Sequence, residues 1–133
     1  MKVGLLYNKK KNESVHYAQL LKAKIEEISE KESADGQKWQ VSVSSDYFDS
    51  EITGSADLLI SIGGDGTFLK TSSVAMKRDL PVLGFHLGTL GLLTEFDKSN
   101  MDNTVRRLVK GDYIIEERMT LQVDIQDESG NVL

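Results

Sequence analysis

At 133 residues, with 39% hydrophobic and 28% charged side chains, the chain has the length and composition of one globular domain able to bury a core. A net charge of −5 and a pI near 5.0 give no electrostatic basis for binding nucleic acid or an anionic membrane surface. The lack of cysteine excludes disulfides and thiolate metal sites, and the two histidines, His16 and His86, make no zinc site without carboxylates from elsewhere. No apolar run approaches the ~20 residues of a membrane span, and residues 3–7 are too short for the apolar part of a signal peptide, so a cytoplasmic protein is expected.

Residues 2–7 are a nearly continuous apolar run, which predicts a strand buried on both faces as in a parallel sheet. Residues 8–13 read as a polar loop, and Lys9, Lys10 and Lys11 within it as a solvated turn rather than a binding patch. Ser14 is placed as an N-cap, and Ala18, Leu20, Leu21, Ile25 and Ile28 recur at helical spacing to about residue 29. A charged connection over 30–38 leads to period-two alternation at 39–44, a second strand with Trp39 in the core. Residues 46–55 are the hardest stretch to read, a loop or a loop with one helical turn.

The spacing then predicts a third strand at 58–62, a helix over 67–78 and a fourth strand at 81–85 that opens on Pro81. A helix over 101–110 follows, with Val105, Leu108 and Val109 on one face and Gly111 as its stop. Beyond it the pattern changes. Residues 113–118 and 121–126 are strand-like, with Leu121, Val123 and Ile125 alternating with polar residues, and 127–131 is a turn. The whole predicts a doubly wound α/β domain over 1–112, a mostly parallel sheet with flanking helices, followed at 113–133 by the first strands of a β-rich second domain.

The chemistry concentrates at Ser61-Ile62-Gly63-Gly64-Asp65-Gly66-Thr67-Phe68, between the third strand and its helix. Strand, glycine turn and helix is a layout in which a backbone approaches a phosphate: glycine has no Cβ and tolerates positive φ, and the N–H groups of a helix start attract an anion. Gly63, Gly64, Gly66 and Thr67 are therefore a candidate phosphate loop. Asp65 is the one carboxylate among the three glycines. An anion is a poor holder of phosphate and makes more sense as a base, or as a metal or hydroxyl ligand, beside a phosphate being transferred. A capping role for Asp65 or Thr67 explains either residue but not the flanking glycines. Two other phosphate motifs fail here: Leu69 stands before Lys70 where a Walker A needs glycine, and again where G-x-G-x-x-G needs its third small residue. Downstream, Gly84, Gly88 and Gly91 argue for irregular backbone near the strand ends, where open α/β sheets bind ligands.

Gly-Gly-Asp-Gly-Thr at 63–67 resembles the signature shared by NAD kinases, diacylglycerol and sphingosine lipid kinases and, more loosely, phosphofructokinases. Gly84-Phe85-His86-Leu87-Gly88-Thr89-Leu90-Gly91-Leu92-Leu93-Thr94-Glu95 is similar to the NAD kinase pattern, and Leu90-Gly91 stands where the lipid kinases carry Gly-Asn-Asp. The segment 117–123 is similar to the opening of the β-rich second domain of NAD kinases. The resemblance implies transfer of the γ-phosphoryl of ATP, or a phosphoryl of polyphosphate, to the 2′-hydroxyl of the adenosine ribose of NAD, giving NADP with Mg²⁺ as cofactor. It implies a catalytic Asp65, NAD contacts from Asp65, Gly66 and Lys70, and second-segment contacts from His86, Gly88 and Leu92, with no residue assigned to a metal. His86 reads more simply as an anchor of its own loop, and Leu92 replaces a phenylalanine common in the family, giving apolar packing in place of ring stacking. The Asn-Glu pair and the Thr-Gly-Ser-Thr-Ala-Tyr segment of the family's second domain do not occur here. The chain is accordingly expected to be an N-terminal part, inactive alone and homo-oligomeric when full length. A lipid kinase and a non-catalytic nucleotide-binding module are the rival readings.

Overall fold

Five strands, β1 (Lys2–Tyr7), β2 (Gln40–Ser44), β3 (Leu58–Gly63), β4 (Val82–His86) and β5 (Phe96–Asp97), pair in the order β2-β1-β3-β4-β5, every register parallel. The computed structural model describes residues 1–88, 91–94 and 96–133; Thr89, Leu90 and Glu95 of the second glycine segment lie outside the described residues. Between the strands run helices α1 (Ser14–Glu32), α2 (Ser50–Ser55), α3 (Asp65–Ala75) and α4 (Met101–Val109). The central strand β3 is buried along its whole length, which suits an apolar run with no polar alternation.

The helices divide between the two faces. On one, Leu21 and Ile25 of α1 and Val105 and Val109 of α4 pack on Leu5, Ile60, Ile62 and Phe85. On the other, α2 and α3 lie over β1 and β3, through Ile52 close above Gly4 and Ala75 against Leu59 and Ala56. Each buried leucine or isoleucine contributes about 1.5–3 kcal/mol. The surface ion pairs joining α1 to α4, Lys24–Asp102 and Glu32–Arg106, add little beside that. This is the doubly wound α/β fold the sequence predicts, and Trp39 is in its core.

The strand order places a topological switch point between β1 and β3, because the chain leaves β1 for β2 on one side and then builds β3, β4 and β5 on the other. Ligands of open α/β sheets bind in the crevice outside the carboxyl ends of the strands at such a point. The loop after β1 and the glycine turn after β3 border it.

Four local features go beyond or depart from the sequence reading. Residues 50–55 form a helix, because the Asp49 side chain accepts the N–H of Glu51 at 3.1 Å and of Ile52 at 3.4 Å and so caps its start. Ser14 is the first residue of α1 rather than its cap; it is fully buried, and its Oγ has no partner among the described residues. Phe96–Asp97 adds a two-residue edge strand, too short for any periodicity to reveal. The strand-like runs 113–118 and 121–126 form no ladder among the described residues. Residues 111–133 are exposed throughout, and their one pairing is the antiparallel bridge Gln126–Val132 beside a turn in which the Asp127 side chain accepts the N–H groups of Ser129 and Asn131, both at 2.9 Å. Alternation supplies an apolar face, but a hairpin with nothing packed on that face is marginal in water.

Candidate active site

The turn Gly63-Gly64-Asp65 is pinned from both neighbouring strands. The Ile62 carbonyl accepts the Asn8 N–H at 3.3 Å, and the Gly63 carbonyl accepts the Leu87 N–H at 2.8 Å. α3 starts directly at Asp65, with Gly64 in the cap position at φ −122°, and no side chain among the described residues caps this end. Its free N–H groups and the positive end of its dipole therefore face the switch-point crevice. The glycines of the turn are needed for space rather than for left-handed backbone, since none of Gly63, Gly64 and Gly66 has positive φ. A Cβ on Gly63 would stand 2.4 Å from the Thr67 Oγ1, whereas at Gly66 nothing among the described residues lies within 4 Å. Gly63 is thus a packing glycine, and Gly66 leaves open room.

Asp65 does not cap its own helix. Its carboxylate crosses to the second glycine segment, where Oδ2 accepts the N–H of Leu92 at 2.9 Å and Oδ1 that of Leu93 at 3.1 Å. The approach is so close that a Cβ on Gly91 would fall 2.2 Å from Oδ1. The two motifs that are separate in sequence are one structure, and Asp65 joins them. The Leu92 N–H, then that of Leu93, holds the Asp65 carboxyl below the usual carboxylate range, with smaller help from the Thr94 N–H and the nearby His86 imidazole against partial desolvation. The folded-state value being lowered, the stability from this contact is fully present above the ordinary aspartate midpoint of about 3.9. It is lost as pH falls through the lower folded value. A carbon-13 NMR titration of the Asp65 carboxyl is expected to show a midpoint below about 3.9; a midpoint at or above that value contradicts the contact.

The other candidate residues surround this joint. Thr67 is buried under the turn, and its carbonyl accepts the Thr71 hydroxyl at 2.9 Å. His86, the last residue of β4, pairs in register with Gly63; it is buried, and its Nδ1 has no hydrogen-bond partner among the described residues. Gly88 has φ +93°, the left-handed backbone that favours glycine. Leu92 is 97% exposed, so its side chain is free to meet a ligand. Lys70 lies on α3 with its ammonium 5.6 Å from the centre of the Tyr47 ring. Among the described residues no group of three or more His, Asp or Glu side chains is arranged to hold a metal ion.

Two participants were not legible in the sequence. Lys11 reaches over the turn, its Nζ 3.7 Å from where a Cβ on Gly64 would stand, so part of the lysine cluster read as a solvated turn belongs to this crevice. Tyr47 comes from the loop after β2, for which no motif exists.

A profile of the ATP-NAD kinase N-terminal domain matches residues 4–113. The chain belongs to that family. Its members include an NAD kinase from Corynebacterium diphtheriae, 48% identical over 83 residues that make up 62% of this chain and 26% of that protein. One from Acetivibrio thermocellus is 32% identical over an alignment covering 94% of this chain and 44% of that protein. The crystal structure of an NAD kinase from Archaeoglobus fulgidus in complex with ATP superposes with a TM-score of 0.56 at 23% identity, covering 84% of this chain and 38% of that one. That likeness shows a shared fold. The chain spans between about a quarter and under half the length of these relatives.

Proposed function

We propose that this domain carries the glycine-loop half of an NAD kinase active site, which moves the γ-phosphoryl of ATP to the 2′-hydroxyl of the adenosine ribose of NAD. The observation that carries the reading is the union of Gly63–Thr67 and Gly91–Leu93 through the Asp65 carboxylate, at the switch point and in front of an uncapped helix. ATP as donor is supported by the family's description and by the ATP bound to the Archaeoglobus relative. Polyphosphate presents the same linear phosphate chain and is the alternative donor.

In this reading the ribose 2′-oxygen attacks the γ-phosphorus, the bond from that phosphorus to the β–γ bridging oxygen breaks, and ADP leaves. Asp65 orients the hydroxyl and receives its proton. A carboxylate has about four acceptor sites; the Leu92 and Leu93 N–H groups use two and the Thr94 N–H lies near a third, which leaves one for the hydroxyl. Its lowered proton affinity suits a reaction in which positioning and charge stabilisation dominate and the proton moves late. Gly64 and Gly66 let the phosphates approach the start of α3, and Lys70 holds the dinucleotide. A magnesium ion would be held mainly by the donor's own phosphates, with Asp65 the residue of the glycine turn able to ligate it, and would neutralise charge on the transferring group.

Replacing Gly66 by alanine separates this reading from a purely structural turn. Among the described residues the added methyl meets nothing within 4 Å, and it removes backbone freedom from the unfolded chain at no steric cost. Thermal stability is expected to hold or rise, while NADP formation by the longest natural chain carrying these residues falls by about 10²-fold, the effect of displacing a reacting group by an ångström. Unchanged NADP formation contradicts a ligand at Gly66. Phosphorylation of diacylglycerol in place of NAD by the unaltered protein moves the assignment to the lipid kinases.

A further inference from the structure

We propose that Tyr47 is a positioning residue for the dinucleotide, its ring face holding the Lys70 ammonium beside the glycine turn; this rests on the reading of Lys70 as an NAD contact. Lysine is a flexible cation, and an ammonium left to solvent spends ~2 kcal/mol of side-chain entropy when a ligand fixes it. A carboxylate partner would fix it but would also neutralise it. Among the described residues no carboxylate pairs with Lys70; the Tyr47 ring lies 5.6 Å from its Nζ instead. An aromatic face attracts the ammonium and leaves its full charge for a phosphate.

The ring is itself held. Tyr47 sits in the loop between β2 and α2, where the Asp46 side chain accepts the Phe48 N–H at 2.9 Å and the Asp46 N–H donates to the Ser44 Oγ at 3.0 Å. Asp49 at the end of this loop is occupied in capping α2. Both acidic side chains of the loop are thus committed to backbone N–H groups. Burial pushes the Tyr47 phenol up, with the Thr67 hydroxyl partly offsetting it, as expected for a ring lying against the first turn of α3. The third loop at the carboxyl edge of the sheet is in this way coupled to the helix that begins at Asp65.

The test is the steady-state kinetics of the longest natural chain carrying these residues, with Lys70→Met, Tyr47→Phe, Tyr47→Leu, Tyr47→Ala and the double variant Tyr47→Leu/Lys70→Met. Lys70→Met is expected to raise the KM for NAD at least about tenfold, the loss of a hydrogen bond to a charged group. Tyr47→Phe keeps the ring and is expected to leave KM unchanged. Tyr47→Leu and Tyr47→Ala are expected to raise KM for NAD by about 2–5-fold, the worth of an exposed cation–π contact, with kcat retained. Tyr47→Leu fills the space without the aromatic face and decides the matter if Tyr47→Ala does not fold. In the Lys70→Met background Tyr47→Leu is expected to add nothing. An unchanged KM in Lys70→Met overturns the reading of Lys70 and this proposal with it. A raised KM in Lys70→Met with none in Tyr47→Leu, or a Tyr47→Leu effect that persists in the double variant, overturns the role of Tyr47 alone.

Discussion

Asp65→Asn is expected to lower turnover by about 10²–10⁴-fold, the usual weight of a group that takes a proton in the transition state. The amide keeps the size of the side chain but removes its charge, and with it the acceptor for the ribose proton. It also presents an NH₂ group where the carboxylate offers a second oxygen, so one of the N–H groups of Leu92 and Leu93 loses its acceptor and meets a donor. The second glycine segment should therefore loosen along with the loss of chemistry. Single-turnover rates with bound NAD and ATP measure the first effect, and amide exchange at Leu92 and Leu93 measures the second. Turnover within a few-fold of the unaltered protein removes Asp65 from the mechanism; unchanged exchange at both amides removes it from the joint.

Gly91→Ala is expected to cost about as much activity as a misplaced reacting group, on the order of 10²-fold, with little loss of global stability. The new Cβ would stand 2.2 Å from the Asp65 Oδ1, 2.7 Å from its Cγ and 2.9 Å from Oδ2. The Asp65 side chain can give way only by leaving the two N–H groups it accepts, because its backbone stands at the start of α3. Either the carboxylate swings away or the segment lifts, and in both cases the geometry that joins the motifs is lost. The core is untouched, since Gly91 is not among the residues packed between sheet and helices. A melting temperature within a few degrees, together with the activity loss, is the expected pair of results; activity close to normal would show that the Asp65–Gly91 contact is dispensable.

The fold was largely legible because its signals are local. The apolar runs at β1 and β3, the spacing of Leu21, Ile25 and Ile28 on α1, and the stop at Gly111 (φ +75°) each follow from period and backbone chemistry. Helix α2 was hidden because a six-residue helix is too short for periodicity, and its existence depends on one cap, Asp49. The tail shows the opposite limit. Leu121, Val123 and Ile125 alternate as a strand does, yet a ladder needs a covered face as well as alternation. For the site, the sequence pointed to Asp65 and its glycines but not to their spatial partner. That the Asp65 carboxylate takes the Leu92 and Leu93 N–H groups is a contact across 27 and 28 residues, set by the parallel register of β3 on β4. Lys11 and Tyr47 escaped for the same reason, since the strand order alone brings the loops after β1 and β2 to the turn after β3.

The most direct measurement is NADP formation from NAD, ATP and Mg²⁺ by the longest natural chain that carries these residues, read with an NADP-specific dehydrogenase. Steady production of NADP that depends on ATP is the expected result. A folded protein that forms no NADP with either ATP or polyphosphate would contradict the assignment of the Asp65 site to this reaction.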